Sequence, residues 1–152
     1  MARAASLGYD VVGFNDDWPD WKEAFLHPKQ AQGIVVQLAE THPELEAQPP
    51  GHWPFPSEPE DPPPAARIVG LRLVAGSAER ARHQWEETLG GSCTANGAEL
   101  VFRWRESPLR VVVTIEPGAD EGPRTIEVAA NRSLALAEGP HPVLGTAFAF
   151  AR

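Results

Sequence analysis

Few residues of this chain have a type and a position that could do chemistry. Four stand out: Gln37, Glu23, Arg103 and Thr114. Gln37 sits between Val36 and Leu38 in a strand that is apolar on both faces. An amide inside such a strand must find hydrogen-bond partners. It either pins the sheet or lines a cavity and bonds a ligand. Glu23 lies beside an acidic loop. A carboxylate of that kind can serve as a general base in a cavity, or it can be a solvated charge on a strand surface. Arg103 and Thr114 fall on the polar face of a hairpin. If that face is concave, Arg103 can hold a carboxylate or phosphate bidentately; otherwise it is a solvated edge. Arg105 and Arg110 face each other in the same reading. Two like charges there need an acidic neighbour, such as Glu99 or Glu116, or a bound anion.

Other residue sets exclude chemistries. Asp16, Asp17 and Asp20 flank Trp18, but a calcium loop needs regular oxygen spacing and a terminal Glu, so this is read as a turn. Of the histidines, His27, His42, His52 and His141 lie next to Pro or inside a Pro-rich run, and His83 lies on a helix off its apolar stripe. There is no HxH or HxxxH pair. The single cysteine, Cys93, excludes an internal disulfide and a multi-cysteine zinc site. It reads as a packing residue in a reduced, cytoplasmic protein. No Gly-rich phosphate loop, Ser-His-Asp order or CxxC is present.

The elements that must position these residues follow from periodicity. The chain has 152 residues and a formal charge of −8. That length can bury a real core. The acidic balance argues against nucleic-acid and anionic-membrane partners, and no apolar run is long enough to span a bilayer. Ala2–Leu7 predicts a short helix closed by Gly8, and Tyr9–Phe14 a strand. A loop over Asn15–Asp20 and strands over Trp21–Leu26 and Gly33–Ala39 follow. Thr41–Ala66 holds most of the prolines and reads as an extended linker, with Trp53 and Phe55 in its middle, read as docking onto a neighbouring surface or else as lid residues beside a ligand. After it come a strand over Arg67–Val74 and a helix capped by Ser77 with the stripe Ala78, Ala81, Trp85, Thr88 and Leu89. Hairpin strands over Glu99–Arg105 and Leu109–Glu116 are next. Matching their apolar faces sets Phe102 opposite Val113 and Trp104 opposite Val111. Strands over Arg124–Ala129 and within His141–Ala151 complete the chain.

The run Trp21–Glu40, WKEAFLHPKQAQGIVVQLAE, resembles the last hairpin of a βαβββ module in the vicinal-oxygen-chelate (glyoxalase, bleomycin-resistance, dioxygenase) superfamily. It is most similar to the methylmalonyl-CoA-epimerase-like branch. GLRLVAGSAERARHQWEETLG, near Gly70–Gly90, resembles the family's strand, helix and LG ending. The resemblance implies an α+β fold in which βαβββ modules form a curved, half-open mixed sheet around a cavity. It divides the chain into an incomplete first module (1–40), a Pro-rich linker (41–66) and a second module with extra strands (67–152). A truncated start, a partner chain and a permuted order would each explain the incomplete module. In the family, a His on each first strand and a Glu on each last strand bind a divalent metal. Here those positions carry Gly70 or Ile68, Thr114 and Gln37, and a metal site built from this chain alone is not expected. The resemblance therefore implies a small-molecule-binding protein with a degenerate metal site, cofactor-free, as a homodimer. The alternative is a metal-dependent lyase, epimerase or dioxygenase that takes its missing ligands from a lost N-terminal segment or a second subunit.

Overall fold

The computed structural model describes residues 1–42, 66–131 and 133–151. The chain divides into two compact units, Met1–Pro59 and Glu60–Arg152. Both are built mainly of strands in open sheets, in an α+β arrangement. Among the described residues, no helix is long and apolar enough to cross a membrane.

The first unit carries α1 (Ala2–Ser6) and an antiparallel sheet of β1 (Val11–Trp18), β2 (Trp21–Leu26) and β3 (Val36–Thr41), in the order β1-β2-β3. One sheet face is apolar. Leu26 joins Ala4, Tyr9 and Ala31 in a buried cluster, flanked by Leu7, Val11, Val36 and Leu38. The connection after β2 is a wound turn: Gln30 and Ala31 donate their backbone N–H to His27 O, and Gly33 donates to Pro28 O. It exits through Gln32 and Gly33 at φ 52° and 74°, a left-handed path that glycine adopts without strain. This is why β3 begins at Val36 and not at Gly33. The expected Asn15–Asp20 loop is a second difference. β1 runs on to Trp18, and Trp18 pairs with Trp21 after two register shifts. Asn15, Asp16 and Asp17 are polar because that end of the strand is half-buried or exposed, which makes a strand look like a turn.

The second unit is a mixed sheet in the order β5-β6-β7-β4-β8-β10-β9. Its strands are β4 (Ala66–Ala75), β5 (Ser92–Asn96), β6 (Glu99–Arg103), β7 (Arg110–Ile115), β8 (Gly122–Ala130), β9 (Gly139–Pro140) and β10 (Ala147–Phe150). Between β4 and β5 lies α2 (Ala78–Arg82), continued by a π-helical segment His83–Thr88. Ser77 caps it, its Oγ accepting from Arg80 N at 3.1 Å. Gln84 joins the expected stripe at helical spacing, so that Ala81, Gln84, Trp85 and Thr88 are buried while Ala78 is exposed. The succession β4, α2, β5, β6, β7, with β4 parallel to β7, is a complete βαβββ module. β8 adds antiparallel to β4, and β10 parallel to β8. The Pro-rich stretch, including Trp53 and Phe55, lies outside the described residues, apart from its ends: Thr41 closes β3, His42 follows it, and Ala66 opens β4.

The hairpin register differs from the sequence expectation by two residues. Phe102 stands opposite Val111 and Leu100 opposite Val113, so Arg103, not Arg105, faces Arg110. The cause is Trp104, which leaves the strand. Its Nε1 donates to Leu89 O at 2.8 Å, and its ring meets Trp85 edge-on at 6.2 Å. Pairing with the helix end outweighs strand alternation. Replacing Trp104 by Phe keeps most of the ring contact but orphans the Leu89 carbonyl. A loss of about 1 kcal/mol is expected in a denaturant titration.

Candidate functional site

Register fixes the two faces of the seven-stranded sheet. Leu71, Leu73, Leu100, Phe102, Val111 and Val113 share the face that carries the helix, where Trp85 lies 6.5 Å from Phe102. The opposite face carries charge. Its first row across β6, β7, β4 and β8 reads Arg103, Arg110, Gly70, Glu127. The next reads Val101, Val112, Arg72, Thr125, and the third Glu99, Thr114, Val74, Gly122.

Glu127 is the centre of this face, only 3% exposed. Arg110 grips it bidentately, with Nε to Oε2 at 2.6 Å and Nη2 to Oε1 at 3.0 Å. Arg72 Nε donates to Oε1 at 2.8 Å, and Arg72 Nη1 reaches on to Glu99 Oε1 at 2.9 Å. Arg110 and Glu127 meet because Gly70, which lies between them in the row, has no side chain. A Cβ at Gly70 would run into Glu127 Oε2 and would lie 3.0 Å from Arg110 Cγ and 3.1 Å from Arg110 O. Burial pushes the Glu127 carboxyl up, but the hydrogen bonds and charges of Arg110 and Arg72 outweigh it and hold it below its ordinary range. The Glu127 hydrogen bond raises Arg110 against the opposing effect of burial.

Arg103 is exposed, and its guanidinium makes no hydrogen bond or ion pair with a described residue; its backbone carbonyl is engaged, accepting from Ser92 Oγ at 3.1 Å. Thr114 is half-buried on the same face, two rows away. Arg72, Glu127 and the gap at Gly70 escaped sequence reasoning. A signal was present: Leu71-Arg72-Leu73 and Ile126-Glu127-Val128 each hold one charge inside an apolar strand, the pattern of a buried ion pair.

The other two candidates meet in the first unit, on the sheet face away from α1. Gln37 Nε2 donates to Glu23 Oε2 at 2.6 Å, and Trp21 Nε1 donates to the same oxygen at 3.2 Å. The expected enclosure of Gln37 is corrected: it is exposed, because the described residues cover β3 only on the α1 side. Of the two readings of Gln37, its bond partner is a carboxylate on the neighbouring strand. Trp18 and Trp21, 40% and 37% exposed, lie at the end of this sheet. Among the remaining groups, His83 pairs with Glu87 at 2.9 Å along the helix. Burial pushes the Cys93 thiol up, with Arg82 opposing and Glu86 adding to the shift, so it is a poor nucleophile.

A divalent metal does not fit these residues. Gly70 and Thr114 supply no anionic donor, the space over Gly70 is taken by Glu127, and that carboxylate is spent on two guanidinium groups. Among the described residues, no three His, Cys, Asp or Glu side chains are placed to hold an ion.

No protein-family model matches the sequence, and no curated protein matches it. Among solved structures, the chain is similar to a hypothetical protein from Staphylococcus aureus, with a TM-score of 0.60 and 8% identity over 99% of this chain and 59% of that one. It is also similar to BphC, a halotolerant catechol dioxygenase, with a TM-score of 0.47 and 15% identity over 86% of this chain and 45% of that one. The chain thus spans less than two thirds of either. The first likeness speaks for the fold alone, and the second is too distant to add to it.

Proposed function

We propose that this chain is a metal-independent member of the vicinal-oxygen-chelate superfamily that binds a small molecule on a helix-free sheet face. The complete βαβββ module, with its first and last strands adjacent and parallel, supports the architecture. One observation carries the metal-independent reading. At Gly70, where the family resemblance puts a metal-binding His, the side-chain space holds a carboxylate clamped by two arginines. A guanidinium-rich site repels a cation and attracts polar or anionic groups. Thr114 and Arg103 are the ligand-facing groups of this unit in the proposal. Glu23 and Gln37 are those of the first unit. The homodimer is part of the same reading, and sedimentation at twice the chain mass would support it.

Fragment screening by amide NMR tests the proposal, using a library of small aromatic and aliphatic compounds with and without a chelator. Saturable shifts at Val101, Thr114 and Arg103 that ignore the chelator are expected. Shifts confined to the helix side, or binding abolished by the chelator, would contradict it. The second of these outcomes would favour a metal-dependent lyase, epimerase or dioxygenase with ligands from outside the described residues.

A further inference from the structure

The geometry points to an oxyanion site between Arg103 and Arg110, which takes the carboxylate or phosphate group of a small molecule. This deepens the reading above and rests on it for the choice of face. Arg103 and Arg110 stand directly opposite each other on adjacent antiparallel strands. Side chains so placed have Cβ atoms about 5 Å apart, and like charges there are destabilising unless something lies between them. The acidic side chains on this face are already committed. Glu127 takes Arg110 and Arg72, and Glu99 takes Arg72. In the rows described above, three arginines therefore stand with two glutamates, in a chain whose formal charge is −8. The surplus charge is that of Arg103.

Arg110 is suited to be the fixed half of such a site. Nε and Nη2 are bound to Glu127, so its guanidinium plane is set before a ligand arrives, and Nη1 makes no bond to a described residue. Preorganisation of this kind reduces the ordering cost of binding. Arg103, exposed and uncommitted, is the mobile half that closes on the anion. Half-buried Val101 in the next row offers apolar contact to the organic body of the ligand. The row of Thr114 lies about 13 Å from the arginine row, at roughly 3.3 Å of strand rise per residue. A small organic acid or phosphate ester thus meets a charged end first and an apolar strip second.

The test is NMR detection of the arginine Nε–Hε signals while phosphate or benzoate is titrated in, at ionic strength held constant with chloride. Saturable shifts of the Arg103 and Arg110 signals are expected with one probe or both. The stronger response tells phosphate from carboxylate. Arg103→Gln should weaken binding at least tenfold. Arg105→Gln, a nearby exposed arginine outside the row, should leave it unchanged. Shifts that never saturate, or an equal loss with both variants, would mean a diffuse cationic surface and would overturn the inference. If the fragments bind this face without a chelator effect while neither anion responds, this inference fails and the metal-independent reading stands. Chelator-sensitive fragment binding would instead bring down the reading on which it rests.

Discussion

Replacing Glu127 by Gln is expected to destabilise the protein by about 3 kcal/mol, with a fall in melting temperature of about 10 °C. The change keeps the side-chain shape and removes the charge that Arg72 and Arg110 share. Breaking a buried pair from one side typically costs 3–5 kcal/mol. The lower end applies here because both arginines keep about a third of their side-chain surface in water, 38% for Arg72 and 31% for Arg110. The same residue sets an acid limit. Its carboxyl titrates below its ordinary value of 4.5 in the folded chain. Between the two values the unfolded chain binds more protons than the native one, so stability rises with pH there. The contribution of Glu127 is fully present above pH 4.5 and is lost as pH falls through the lower folded value. Denaturation followed against pH should therefore show a steeper acid decline in the wild type than in Glu127→Gln.

Gly70→Ala is the second large effect. Its methyl group meets Glu127 Oε2 and lies 3.0 Å from Arg110 Cγ and 3.1 Å from the Arg110 backbone oxygen. The backbone oxygen cannot swing aside as a flexible side chain can. A loss of about 2–3 kcal/mol is expected from overpacking. Part of this is clash with Glu127, so Gly70→Ala should cost less in a Glu127→Ala background. A coupling of about 1–2 kcal/mol in the double-mutant cycle is the expected signature. Additive costs would mean that the glycine is needed only for the backbone contact. Gly70→His, the family-like change, should be destabilising and should gain no metal affinity, because the guanidinium groups remain beside it.

Much of the architecture was legible locally. The bounds of β2 agree with the sequence expectation, Ser77 caps its helix as expected, and the α+β class follows from a helix pattern between strand patterns. The misses share a physical origin, since each depends on a pairing partner that the residue's own type does not show. Trp104 fits strand alternation but is claimed by Trp85 and Leu89. Asn15, Asp16 and Asp17 have turn-like chemistry, yet pairing with β2 draws them into β1. Glu127 acquires meaning only when β8 lies beside β4, a neighbourhood that no periodicity reveals. Of the four candidate site residues, Gln37 and Glu23 prove to be bonded to each other. Arg103 and Thr114 share a face, but the group that organises it, Glu127 with its two arginines, was recognisable only as isolated charges within apolar strands.

The most direct test of the account is metal content by elemental mass spectrometry. Purified protein would be exposed to Zn, Mn, Fe, Co and Ni and freed of loose ions. Retention far below one metal per chain, unchanged by Gln37→Ala, is the result predicted for a site in which arginine-held carboxylate replaces metal ligation. Close to one metal per chain, lost on Gln37→Ala, would contradict it and place a catalytic metal at the head of the explanation.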